Sequence, residues 1–373
     1  MLHDAALKVL GQTTSLVEKL QHIHDYLKRH HAFISRIAIA LYDPSTDMVR
    51  TFIYSGEKTP LNHYHARLSG CYSLQQLAVQ RKARLEQDLS VFNGSQHLHA
   101  QRIYAAGFRG SYTIPMIWGN ELLGFLFFNS QQINAFDDFA IENMDVAGHL
   151  VTLMLYNERA QIKTLSATLK SALDLTHSRD PETGAHLERM SRYARLIARH
   201  CADAFHLDDH FIEHVFLFAP LHDLGKMAIP DKVLLKPGPL TEEEFNVMKT
   251  HSEAGLAMVD KLMENYGLSG LSHLSVLRNI VMHHHEAMDG SGYPSGLQGD
   301  AIPIEARIVT VADVFDALTS RRPYKEAWTN QQAFAQLQRL SGTKFDGRCV
   351  QAILDNAAEV AQIQASFNDN VFG

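Results

Sequence analysis

Histidines and carboxylates punctuate the second half of this chain in an order that limits how it can fold. They run Glu182-x-x-x-His186, then His222-Asp223 within HDLGKMAIPD, then His251, then His284-His285, then Asp313. No one fragment of the set is diagnostic. Together they offer enough nitrogen and oxygen donors for two or three divalent metals, provided the fold brings them to one place. Lys226 follows Asp223 by three residues. Such a combination points to metal-activated water attacking a phosphate ester.

Local signals in this half are helical. Asp180-Pro181 sets an N-cap before a proline at the first helical position, and Leu187, Met190, Ala194, Ile197 and Cys201 then form a stripe for burial. Asp208 or Asp209 caps a following helix expected to end near Gly225, and Thr241-x-x-Glu244 is a capping box opening the helix that leads to His251. Residues 272–285 and 303–320 complete the helical set. Glu182 and His186, four apart, share a helix face, although an exposed Glu/His pair is the commoner meaning of that spacing. His222-Asp223 is stronger, because it ends an apolar helix (Phe211, Val215, Phe216, Phe218, Ala219) where adjacent polar residues are costly to bury. A carboxylate there can bridge two cations, and imidazoles suit first-row transition metals such as iron or manganese. His251 alone reads as an ordinary histidine. In the run His283-His284-His285, adjacent helical residues diverge by about 100°, so at most two reach one site unless the helix ends there. Asp313 lies in the apolar helix VTVADVFDAL; Asp316, one turn on, is a cap or a salt-bridge partner.

The chain of 373 residues is long enough for two domains, and a composition of 46% hydrophobic and 20% charged residues is that of a globular protein. A net charge of −7 argues against a nucleic-acid polymer as partner. Cys71, Cys201 and Cys349 form no CxxC pair, which fits a reduced, cytoplasmic setting. The first residues lack the basic and apolar regions of a signal peptide, and there is no apolar run of about 18 residues, so no membrane association is expected.

The N-terminal half reads as α+β. Residues 13–30 are expected to be helical, and SRIAIALYDPSTDMVRTFIYSG reads as strand, turn, strand around Asp43–Asp47. Residues 72–83 read as a helix, and SYTIPMI with ELLGFLFFN as a second hairpin through Trp118-Gly119-Asn120. This helix, meander and closing hairpin resemble a GAF domain, a bacterial sensor module, which implies an unknown small ligand. His63, His65, His97 and His99 read as scattered surface histidines, not as heme or metal ligands. From Ala135 to about His177 the pattern is helical without a proline break. Ile141, Met144, Val151, Leu155, Ile162, Leu165, Leu169 and Ala172 follow spacings of three and four, interrupted at Gly148 and Glu158. A parallel dimeric coiled coil is the sharper reading of this stripe, and a long helix packed on its own domains the plainer one.

HDLGKMAIPD, HHEAMDGSGYPSGLQGDAIP and ADVFDALTSRRPYK closely resemble the HD-GYP phosphodiesterases, a branch of the HD metal-dependent phosphohydrolases. The likeness covers roughly residues 165–360, with several motifs in order. Gly292-Tyr293-Pro294 is the naming tripeptide, and counting back from it through Asp289 and Glu286 selects His284 and His285 as the ligand pair and leaves His283 spare. The resemblance implies an all-α HD-type metallophosphohydrolase domain with metal ligands Glu182, His186, His222, Asp223, His251, His284, His285 and Asp313. Glu182 matches members thought to hold a third metal, so two or three divalent transition metals, Fe or Mn, are expected. It also implies hydrolysis of cyclic di-GMP to linear pGpG and on to GMP, with Asp223 and Lys226 as catalytic residues. The chemistry agrees: a hydroxide bridging two metals is nucleophilic near neutral pH, the metals offset charge on the phosphate, and Lys226 is placed to add a donor. Arg322 and Lys325, in SRRPYK, match the family's substrate-contacting positions; a guanidinium can hold phosphate or a guanine edge in two places, which favours Arg322 over Arg321. Tyr293 is expected to stack on or bond to substrate, and Gly290, Gly292 and Pro294 to shape the pocket loop.

Other functions compete with this one. An enzyme for 3',3'-cyclic GMP-AMP would differ only in its purine contacts, and a nucleotidase is disfavoured by the GYP segment. A non-catalytic module that binds the cyclic dinucleotide or a partner protein is disfavoured by the intact ligand set. The expected organisation is a GAF-like sensor domain at 1–136, a dimerising helical linker at 137–177 and the HD-GYP domain at 178–373. The whole is expected to be a cytoplasmic homodimer.

Overall fold

The structure, a computed structural model, describes residues 15–57, 61–92, 98–176, 184–266, 274–320 and 326–368. Two compact units divide between Gln161 and Ile162. The first is α+β and the second helical, as the patterning of the two halves leads one to expect.

The first unit starts at Ser15, whose side chain accepts from the Glu18 amide while Glu18 returns a carboxylate to the Ser15 N–H. That reciprocal cap opens the helix Leu16–His30. Strands β1 (Ile34–Asp43), β2 (Met48–Gly56), β3 (His65–Arg67), β4 (Arg84–Glu86), β5 (Gly110–Trp118) and β6 (Glu121–Ser130) form one antiparallel sheet. Their order is β3-β2-β1-β6-β5-β4. The two-residue period of the strands divides the sheet cleanly. Ile37, Ile39 and Leu41, with Tyr112, Met116, Leu126 and Phe128, share a core with Leu20 and Leu27 of the first helix. Ala40, Val49 and Phe125 are instead covered by Cys71, Leu74 and Leu77 around the helix Tyr72–Gln80.

The helix Asp138–Thr176 is unbroken over 39 residues. Where its side chains are described, the apolar stripe is covered within the chain, which is the plainer of the two readings of those residues. Met144, Val151 and Leu155 are buried in the core of the sheet unit, and Ile162 and Leu165 in that of the helical unit. A helical repeat reports that a face is covered and not by what. Gly148, an apparent interruption, belongs to the covered face: a Cβ there would overlap Ile114 of β5.

The second unit is built from the helices Gly184–Phe205, Asp209–Phe218, Glu242–Lys249, His251–Tyr266, Leu274–His283, Ile304–Thr319, Asn330–Leu340, Gly347–Asp355 and Ala357–Ser366, with shorter turns between them. Tyr193, Ile197, Phe218, Val281, Val309 and Phe315 lie at the centre of its core. Asp208 is the cap that the sequence left open between two residues, and the Thr241/Glu244 box forms as expected. The helix expected to reach Gly225 stops at Phe218, where Pro220 forces two 3-10 turns, Ala219–Leu221 and Leu224–Ala228. The Asp180-Pro181 start lies outside the described residues. Cys201 and Cys349, remote in sequence, are hydrogen-bonded neighbours in the core and remain free thiols. Among the described residues no helix is long and apolar enough to cross a membrane.

Candidate metal centre

His222 and Asp223 occupy the kink between the two 3-10 turns, so neighbouring residues in sequence can face one point. His251 begins its helix, and His284 and His285 follow the last residue of the helix Leu274–His283. The end of that helix resolves the geometry of the histidine run. His284 and His285 join one cluster, while His283 turns its Nδ1 to Glu286 at 3.7 Å.

Two donor clusters result. Asp223, His251, His284 and His285 bring ligand atoms within 4.8 Å of one another, and so do His186, His222 and Asp313. Asp223 faces both. Its Oδ1 lies 3.3 Å from His251 Nε2 and 3.5 Å from His284 Nε2, whereas Oδ2 lies 3.1 Å from His222 Nε2. Asp313 Oδ1 stands 3.9 Å from His222 Nε2 and 4.0 Å from His186 Nε2. Lys226 Nζ donates to Asp223 Oδ2 at 2.8 Å.

The outer nitrogens decide what these contacts mean. His222 Nδ1 lies 3.0 Å from Ala219 O, His251 Nδ1 2.8 Å from Met248 O, and His284 Nδ1 2.9 Å from Ile280 O. A carbonyl can only accept, so each Nδ1 carries a proton, and in the neutral ring each Nε2 is a lone pair directed inward. Neutral His251 and His284 rings oppose two lone pairs across 3.4 Å, beside a buried carboxylate oxygen of Asp223 with no hydrogen-bond partner. Donors in that state repel one another unless a cation lies among them. The set fits divalent metal, with outer partners orienting each imidazole.

Protonation favours the same outcome. Burial holds the His251 pKa down against the raising effect of Asp223, and burial with His284 lowers that of His285, so both rings are neutral. Burial by itself raises the Asp223 carboxyl, but the Lys226 ammonium at 2.8 Å acts against it, and the pKa stays well below the carboxylate range.

His186 is anchored differently, by Asp316, whose Oδ2 accepts from Nδ1 at 2.7 Å and which also takes Arg189 Nε at 2.7 Å. Sequence reasoning left Asp316 as a cap or ion-pair partner and missed Arg189. It is the ion-pair partner, and it stands three positions after Asp313 on the same helix. Glu286 is fully used by the GYP loop, accepting from the Ser295 and Leu297 amides at 2.8 and 3.0 Å. Gly292 runs so close to the Glu286–Ala287 backbone that a side chain would overlap it. Tyr293 stands over His285, ring centres 4.7 Å apart. Glu182, Arg322 and Lys325 lie outside the described residues.

Gly225 was also missed, although an isolated glycine two residues after His222-Asp223 is a signal for close approach. A Cβ on it would run into the backbone of His251 and Gly255. Gly225→Ala is expected to push the start of the His251–Tyr266 helix away from Asp223. The cost should be about 1–3 kcal/mol, as for overpacking, with metal content reduced by more than the stability loss explains. Calorimetry with metal analysis on the same sample checks this; full metal content in the folded variant counts against it.

The sequence matches the HD domain family over residues 172–349. It is 50% identical over 190 residues to the cyclic di-GMP phosphodiesterase response regulator RpfG of Xanthomonas campestris pv. campestris, covering 51% of this chain and 47% of that protein. It is 43% identical over 211 residues to a cyclic di-GMP phosphodiesterase of Vibrio cholerae, covering 55% and 42%. Over 216 residues it is 36% identical to the 3'3'-cGAMP-specific phosphodiesterase 2 of Vibrio cholerae, covering 58% and 39%. The chain thus spans less than half the length of these curated relatives. A solved GAF domain of an Acinetobacter phosphoenolpyruvate-protein phosphotransferase overlays 42% of this chain and 92% of its own, at 13% identity and a TM-score of 0.32. Residues 172–349 thus match an HD domain, and that half of the chain is similar to proteins named as cyclic-dinucleotide phosphodiesterases.

Proposed function

We propose that this chain is a metal-dependent phosphodiesterase of the HD-GYP type that hydrolyses cyclic di-GMP to linear pGpG and on to GMP. One observation carries the reading: Asp223 turns a separate oxygen to each of two donor clusters, with Lys226 on the same carboxylate. His186, His222 and Asp313 would hold one divalent cation and His251, His284 and His285 another, with Asp223 common to both. Glu182 is assigned to a third, and the imidazole-rich set favours iron or manganese. Cations held there lower the pKa of bound water and offset charge on a phosphate ester. The remaining work belongs to the chain. Asp223 sets the spacing of the two clusters, and the outer carbonyls and Asp316 hold the Nδ1 protons of His186, His222, His251 and His284 and so aim each Nε2 inward. Lys226 donates from Nζ to a phosphate oxygen, Tyr293 offers a stacking surface beside His285, and Arg322 and Lys325 contact phosphate or base.

The two relatives with the higher identities quoted above are named for cyclic di-GMP, which supports that substrate. A second reading, 3',3'-cyclic GMP-AMP, draws on the likeness to a protein named for it. The test is to strip the purified chain of metal, reload it with Mn, Fe(II) or Mg, and assay both cyclic dinucleotides. Turnover of cyclic di-GMP is expected with Mn or Fe(II), pGpG preceding GMP. Magnesium, which favours oxygen donors and retained water, should fall short of the full rate. Faster turnover of the mixed dinucleotide transfers the assignment to it. Metal-loaded protein that binds but cleaves neither is a binding module.

In the same reading, residues 1–136 form a GAF-like sensor for a small ligand, 137–177 a connector and 178–373 the catalytic domain of a cytoplasmic homodimer. Pairing is supported by Phe139, Val146 and Leu153, which recur every seven residues along the helix Asp138–Thr176 and are 64%, 72% and 36% exposed. Val146→Glu is expected to give a monomer with its metal sites intact. An unmodified chain that sediments as a monomer at micromolar concentration overturns the pairing.

A further inference from the structure

The sheet unit encloses a cavity of about 110 Å³. The strand alternation places it on the face turned away from the helix Leu16–His30: Ala38, Ala40 and Phe127 line it, while Ile37, Leu41 and Phe128 point into the opposite core. An engineered apolar cavity of about 150 Å³ holds one benzene, so this space suits one ring or a short chain.

Its chemistry is asymmetric. Most of the wall is apolar, but a row of polar side chains crosses the sheet from β1 through β6 to β5. Arg36 Nη1 donates to Asn129 Oδ1 at 2.9 Å, Asn129 Nδ2 donates to Ser111 Oγ at 3.2 Å, and Ser111 Oγ lies 3.5 Å from Thr113 Oγ1. Thr113 pairs in register with Arg84 on β4. All five line the cavity, and the charged residues among its lining are Arg36 and Arg84, both cationic; no Asp or Glu lines it among the described residues. Glu86, 3.5 Å from Arg84 Nε, lies outside the lining.

Arg36 is 3% exposed and sits near the rings of Tyr54 and Phe108. Burial lowers its pKa to about 10 and lowers that of Arg84 as well. A guanidinium placed beside an apolar space is costly by itself, and an anion entering that space offsets the cost through charge-assisted hydrogen bonds. Asn129 fixes the direction of the Arg36 fork, so little side-chain freedom is lost on binding.

We propose that this cavity is a binding site for a small organic anion, a carboxylate or phosphate carried on one ring or a short apolar chain, with Arg36 and Arg84 as its charge partners. The proposal deepens the sensor part of the reading above, and its test measures binding without turnover, so either can fail alone. Benzoate, phenyl phosphate, benzamide and benzylamine are titrated into the full chain, followed by ligand-observed NMR and calorimetry. At least one of the two anions is expected to bind ten or more times tighter than benzamide and benzylamine, about 1.4 kcal/mol; which of them binds tighter tells carboxylate from phosphate. Arg84→Gln and Arg36→Gln should each remove most of that preference, and Ala38→Leu, which fills the space and keeps both cations, should abolish binding. If Arg36→Gln does not fold, the other two variants decide. Anions that bind no better than benzamide, or not at all to the folded chain up to about 10 mM, overturn the proposal. So does tight binding that persists in a folded Arg84→Gln or Ala38→Leu variant.

Discussion

Replacing Asp223 by Asn is expected to remove hydrolysis and deplete both metal clusters together. The carboxylate sends Oδ1 toward His251 and His284 and Oδ2 toward His222, with Lys226 at the second oxygen. An amide keeps the shape but has one neutral oxygen, and its NH2 must face one of the two sets of inward lone pairs. That nitrogen can donate to Nε2 and so stabilise the metal-free form. Changing only an outer partner of a metal ligand costs about 10–100-fold in affinity or activity, so loss of a shared ligand should exceed about 100-fold in turnover at saturating metal. Elemental analysis and an assay on one preparation check it. Full stoichiometry with substantial turnover would falsify the shared role, and loss confined to one cluster would reassign Asp223 to that cluster alone.

Much of this centre is legible in the sequence because its residue types are costly where they stand. His222-Asp223 after Phe218 and Ala219, or Asp313 within VTVADVFDAL, have no cheap explanation in an apolar setting. What the sequence withholds is which residues hold these in place. Asp316 and Arg189 are 127 positions apart, and nothing in either local pattern marks the pair. Gly225 is a packing requirement set by the backbone at His251 and Gly255, elements that meet only after folding. The end of the helix at Phe218 is legible in Pro220, whose ring and missing N–H cannot continue a helix.

The long helix teaches a related point. Ile141, Met144, Val151 and Leu155 do mark a covered face, and the repeat alone does not distinguish a second copy from the chain's own sheet. The deciding information sits on β5 and β6, where Ile114 and Leu126 occupy the space that a Cβ on Gly148 would need. In the sheet unit, hairpins and turn residues predict the strands well. The polar row Arg36, Asn129 and Ser111 is invisible until strands β1, β6 and β5 are placed side by side, since no two of these residues are near in sequence.

Asp316 should prove nearly as important as the ligands, although it faces away from the cluster. The helix Ile304–Thr319 offers one carboxylate to each nitrogen of His186: Asp313 toward Nε2 and Asp316 to Nδ1. Asp316 is fully buried and also binds Arg189 and Ser320. Burial raises its pKa, but the hydrogen bonds from His186 and Arg189 more than compensate, and it stays ionised. Asp316→Ala leaves the Arg189 guanidinium buried without this carboxylate, at an expected cost of about 3–5 kcal/mol in stability. It also frees the His186 ring to rotate or change tautomer, and affinity at the His186–His222–Asp313 cluster should fall about 10–100-fold while the other cluster keeps its metal. Stability and orientation can be separated. Asp316→Leu combined with Arg189→Met removes both charges, and apolar replacement of a buried pair is commonly neutral or stabilising. The double variant is therefore expected to recover much of the melting temperature and none of the lost metal affinity. Recovery of both together would mean that Asp316 serves only the core, and His186 is oriented by something else.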